Sequence, residues 1–115
     1  MKENVIKTKS FAFALRIIKL YQYLQTEKKE YIMSKQLMRS STSIGAMIRE
    51  AEQAESDSNF IHKLAIAKKA TSESEYWIEL LRQSGYIEKQ QFISIFSGYD
   101  RNRKTLEFYN YNFQE

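Results

Sequence analysis

Arg16 and Lys19 stand three residues apart, Lys35 and Arg39 stand four apart with Arg49 further on, and Lys63, Lys68 and Lys69 follow in a later stretch. On helices, three- and four-residue spacings bring side chains to one face. Such sets would present guanidinium and ammonium groups to a phosphate backbone, in binding that releases counterions and weakens steeply with salt. Arg101, Asn102, Arg103 and Lys104 form a second basic run near the C-terminus. No base-reading motif accompanies these residues, so if the sets converge the chemistry they write is phosphate recognition on RNA or DNA; the other reading is a set of solvated helix surfaces.

Other chemistries meet absences. The chain has no cysteine and one histidine, His62, and no glycine-rich phosphate loop, HExxH or calcium loop. A carboxylate-bridged dimetal site in a helical bundle needs Glu-x-x-His on two helices, whereas Asn59 stands three residues before His62. His62 therefore reads as a surface residue. Glu50, Glu73 and Glu75 read as solvated or as partners of Lys and Arg on helix flanks. Trp77 shares a stripe with Ala70 and Leu80 and reads as core, leaving Tyr76 the more available ring for stacking. These observations predict no catalytic residue, no metal and no cofactor.

The elements that must carry the cations are helices. With no proline and only Gly45, Gly85 and Gly98 to interrupt it, the chain is unsuited to a turn-rich β fold. Apolar spacing predicts an all-α protein with helices over 11–25, 34–55, 58–84 and 89–108 and a tail over 109–115. Ser10 is the expected N-cap of the first, which carries two adjacent seams, Phe11, Ala14, Ile18, Tyr21 and Phe13, Ile17, Leu20, Leu24. The second helix repeats Leu37, Ser41, Ile44, Ile48 and Ala51, with small residues where neighbouring backbones can approach closely. Asp57 or Ser58 is the expected cap of the third, whose seam runs from Phe60 through Leu64, Ala67, Thr71, Ser74 and Ile78 to Leu81, with Gly85 at the left-handed position beyond its end. Phe92, Ile95 and Phe96 mark the fourth. Tyr109, Asn110, Tyr111, Asn112 and Phe113 alternate without a partner strand and read as a frayed or docked tail.

A chain of 115 residues makes one domain. Its net charge of +4 is unevenly spread, with local balances of +7 over residues 1–49, −4 over 50–88 and +1 over 89–115. A basic region attracts phosphate, and a basic and an acidic region on one molecule also suit assembly with further copies. The opening MKENVIKTKS lacks the apolar stretch of a signal peptide, and no run reaches the length of a membrane span. The expected setting is the cytoplasm, with no membrane partner.

Taken together, Lys9-Ser10-Phe11, Arg39-Ser40, Ser43-Ile44-Gly45-Ala46, Ile48, Glu50-Ala51, Phe60-Ile61, Leu64, Ile66-Ala67, Glu75-Tyr76-Trp77, Leu80-Leu81 and Gly85-Tyr86-Ile87 resemble the four-helix bundle family named after the 23S rRNA intervening sequence protein. The resemblance covers about residues 5 to 100. It implies an antiparallel, left-handed, up-down-up-down bundle, with Ser43, Ile44, Gly45, Ala46, Ile48, Trp77 and Leu81 as packing residues, assembled as a homo-oligomer, commonly a pentamer. The accessory protein of diversity-generating retroelements is a similar bundle, and there a basic ring surface is associated with nucleic acid and a reverse transcriptase. Met47 stands where the family usually has Asn, and Ala70 where it often has Glu, so an apolar contact is expected in place of a polar pair. The leading expectation is a non-enzymatic, oligomeric bundle that binds nucleic acid; the alternative is a protein-interaction scaffold whose charge polarity serves only assembly.

Overall fold

The computed structural model describes residues 2–95 and 97, and among them it contains helices and no strand. α1 is Lys2–Thr26, α2 is Met33–Glu52, α3 is Asp57–Gln83, and α4 opens over residues 89–95, with 97 again helical. The rest of the expected fourth helix, the 101–104 cluster and the 109–115 tail lie outside the described residues. α2 packs on both α1 and α3. Lys7 near the start of α1 pairs with Glu52 at the end of α2 at 3.1 Å, and Glu50 pairs with Lys63 near the start of α3 at 2.8 Å, so successive helices run antiparallel. The extents of 44 × 20 × 20 Å match one long helix by about two helix diameters.

α1 begins well before the expected start at Phe11. Ile6, Ser10, Phe13, Ile17, Leu20 and Leu24 form one buried seam in steps of four and three, and Ser10 occupies a small slot within it. Its hydroxyl donates to the Lys7 carbonyl at 3.1 Å, and its side chain faces Gly45 of α2. Ser10 is therefore a packing residue, not a cap. The other expected seam of α1 behaves differently: Phe11 is 52% exposed, while Ala14, Ile18 and Tyr21 are half-buried.

Each corner has its own chemistry. Lys29 adopts a positive φ of 55°, and the Glu30 N–H returns to the Leu24 carbonyl at 3.0 Å. The buried Glu30 carboxylate then accepts the N–H groups of Ile32, Met33 and Ser34 at 3.1, 2.8 and 2.8 Å, doing for α2 what its own N-cap, Ile32, does not. α3 is capped by Ser56, with extended φ and ψ and its hydroxyl accepting from Asn59 N–H at 3.1 Å. Asp57 and Ser58, the expected caps, lie inside the first turn. At the other end Gly85 has φ 89°; the Tyr86 N–H reaches the Leu81 carbonyl at 2.9 Å and the Gly85 N–H reaches Arg82 at 3.2 Å, which is a Schellman ending. α4 opens with the Gln91 side-chain oxygen accepting from Glu88 N–H at 2.8 Å.

The core contains Phe13, Ile17, Leu24, Leu37, Ile44, Ile78, Leu81 and Ile87 at its most buried positions. Ala70 belongs to it and Met47 packs against it, so both departures from the family pattern sit in apolar surroundings. Between α2 and α3 lies a polar inclusion: Ser41 donates to Ser74 Oγ at 3.1 Å, Ser40 and Ser74 share a bond of 2.9 Å, and Ser74 donates onward to the Ala70 carbonyl at 2.9 Å. All three hydroxyls are fully buried and satisfied, as burial requires.

Candidate nucleic-acid interface

The expected cations divide among several faces of one bundle. Arg16 and Lys19 lie toward α4, where Arg16 Nη1 donates to the Ser94 carbonyl at 2.6 Å and to Ser94 Oγ at 3.3 Å. With Leu20 and Tyr23 on one wall and Gln90, Gln91, Ser94 and Ile95 on the other, they line a groove of about 520 Å³. No carboxylate is among these lining residues. A second open concavity, about 650 Å³, lies at the other end beside Glu52, Glu55 and Asp57, where negative charge disfavours phosphate.

Arg39 is committed to the protein itself. It takes two hydrogen bonds to Gln36 Oε1, at 3.2 and 3.1 Å, and an ion pair with Glu73 of α3. Glu73 also accepts from Trp77 Nε1 at 3.0 Å, and the Tyr76 ring meets Trp77 edge-on at 5.0 Å. Trp77, expected in the core, is only half-buried and packs against it, while Tyr76 is, as expected, the more available, at 57% exposed. Lys63 is likewise paired, with Glu50. Arg49, at the far end of α2, lies 5.3 Å above the Phe11 ring centroid, a cation–π distance.

Lys19, Lys35, Lys68 and Lys69 have no ion-pair partner among the described residues. Lys69 precedes Glu73 by one turn and so faces the same side as Arg39; Lys68 is about 140° around α3 from Lys63 by helical geometry and points elsewhere. One bundle therefore brings together Arg16 with Lys19, and Arg39 with Lys35 and Lys69 along the α2–α3 side, but does not gather all eight cations into one patch. Tyr23, Gln90, Gln91 and Ser94 were not anticipated as neighbours of the cations. Arg16, Lys19 and Tyr23 do hold the three-then-four spacing of a helix face, a legible signal; the α4 residues carried none, because their approach to α1 is tertiary.

His62 is exposed on α3. Among the described residues no group of three or more His, Cys, Asp or Glu could hold a metal ion, and no helix is long and apolar enough to cross a membrane.

No curated protein matches the chain. A crystal structure of a protein of unknown function from the S23 ribosomal protein family of Bacteroides thetaiotaomicron VPI-5482 is similar to it, with 52% identity and a TM-score of 0.94 over 96% of this chain and 98% of that one. The family model of the 23S rRNA-intervening sequence protein matches residues 2–107. The chain belongs to the 23S rRNA-intervening sequence protein family.

Proposed function

We propose that this protein is a non-enzymatic, cytoplasmic bundle that assembles with copies of itself, in a ring such as a pentamer, and binds nucleic acid or serves a nucleic-acid enzyme such as a reverse transcriptase. The observation that carries the reading is positive charge left uncompensated. Lys19, Lys35, Lys68 and Lys69 have no acidic partner among the described residues, and Arg16 is held by the neutral oxygens of Ser94. Assembly would repeat these scattered cations around a larger surface, where they sum.

Fluorescence anisotropy with labelled RNA and DNA at several salt concentrations tests this. Binding should show a steep negative slope of log affinity against log salt. Replacing Lys19, Lys35, Lys68 and Lys69 by Glu should abolish it while leaving the helical circular dichroism unchanged. Absence of binding at low salt would overturn the reading.

That absence would favour a protein-interaction scaffold. The specific support for a scaffold is exposed apolar surface on α1, where Phe11, beneath the Arg49 guanidinium, and Leu15, one turn on, are 52% and 49% exposed. A ring held mainly by charge polarity should lose mass as salt rises; an assembly indifferent to salt counts against that form of the scaffold.

A further inference from the structure

Within the groove between α1 and α4, several hydrogen-bond donors and one aromatic ring line the same space. Arg16 uses only Nη1 on Ser94, and because a guanidinium carries five N–H donors in a planar fork, its Nε and Nη2 edge remains for an anion. Lys19, one turn away, is exposed and without an ion pair among the described residues. Tyr23 follows Lys19 by four residues; its ring packs partly on the core, and its hydroxyl has no partner among the described residues. Across the groove, Gln91 gives its side-chain oxygen to the Glu88 N–H, which leaves its NH₂ as a donor. Gln90 is exposed and can supply both a donor and an acceptor.

We infer that this groove binds a single-stranded segment of nucleic acid, one unstacked base lying against Tyr23 and its flanking phosphates on Arg16 and Lys19. The inference rests on the nucleic-acid reading above and specifies which form is bound, and where. A groove of about 520 Å³ between two adjacent helices is large enough for a nucleotide, with Leu20 and Ile95 as apolar walls. A base enters such a space only when its faces are free, as in a single strand; in a duplex they are covered by stacking. Aromatic stacking tolerates any base, while the Gln90 and Gln91 amides meet base edges without committing to one.

The test is anisotropy of labelled 12-nucleotide oligo-dT and oligo-U against a duplex of the same length, on the full chain. Wild type should bind the single strands at least about tenfold more tightly than the duplex. Tyr23→Leu, which retains the apolar contact with the core, should weaken single-strand binding about tenfold and leave the salt slope unchanged, because stacking releases no counterion. Lys19→Gln should instead reduce the slope by about one, and Lys68→Gln should lower the slope without altering the preference for single strands. Ultraviolet crosslinking of 5-iodouracil-containing oligonucleotide to the unmodified protein, mapped by mass spectrometry, should label Tyr23 even where the leucine variant folds poorly. Binding of single strands that is insensitive to Tyr23→Leu and crosslinks elsewhere overturns the groove while sparing the broader reading. Equal affinity for duplex overturns it too, and no binding of any nucleic acid overturns both.

Discussion

Glu30 turns the corner between α1 and α2 by an unusual route. It is buried, lies outside both helices, and accepts three successive backbone N–H groups while Ser34 Oγ donates to its carbonyl at 2.9 Å. A carboxylate suits this place, because the first N–H groups of a helix have no partner within it and carry partial positive charge. Glu30→Gln leaves a neutral acceptor and introduces an NH₂ among donors, and should cost about 1–3 kcal/mol. The urea midpoint should fall with little change in m. Glu27→Gln, an exposed change in the same corner, should stay within about 0.5 kcal/mol; equal shifts for the two would remove the special role of Glu30. Nothing near Glu30 in the sequence marks it, since the preferred capping residues are Ser, Thr, Asp and Asn. Its reach depends on the left-handed backbone of Lys29, a conformation a lysine does not advertise.

At the scale of elements, apolar spacing located α1, α2, α3 and the opening of α4, and the departures among the described residues occur at helix ends. The start of α1 was obscured because Ser10, a polar residue before an apolar run, looks like a cap until Ile6 is seen to continue its seam. The two described glycines also separate. Gly85 requires its positive φ, and a Cβ there would meet nothing within 4 Å, so Gly85→Ala should cost about 1–2 kcal/mol from backbone strain alone. Gly45, expected to permit close packing, would place a Cβ 3.4 Å from Ser10 Oγ, an ordinary contact. Gly45→Ala should therefore leave stability unchanged or raise it by up to about 1 kcal/mol through helix propensity. Thermal melts of the two variants check both signs; a marked loss for Gly45→Ala would show that this helix pair needs the hydrogen.

For the whole molecule, the fold was more legible than the interface. A seam is written along one helix, whereas a surface site requires the rotational phase of several helices at once; thus Arg16, Lys19 and Tyr23 could be aligned in sequence but not their approach to Gln90 and Ser94. Likewise, the two adjacent seams on α1 read as one wide apolar face able to touch more than one neighbour, whereas only one of them is buried along its length. The exposed Phe11 and Leu15 of α1 yield a prediction at this scale: Phe11→Glu with Leu15→Glu should reduce the native mass to one subunit if α1 mediates assembly, while leaving helical content intact. Native mass spectrometry beside circular dichroism reads this, and an unchanged mass would exclude this face. The serine inclusion has a different consequence. Seams with heptad spacing pack almost as well after one helix slides seven residues along another, about 10.5 Å. Such a slide would carry Ser41 away from the Ser74 hydroxyl to which it donates, at a cost of about 1–3 kcal/mol if its buried hydroxyl is left unsatisfied, whereas Ser40 and Ser74 keep the carbonyls of Leu37 and Ala70 within their own helices. The inclusion thus acts as a detent: it biases α2 against ratcheting along α3 and favours rigid-body tilt over a sliding helix as the motion this pair can make.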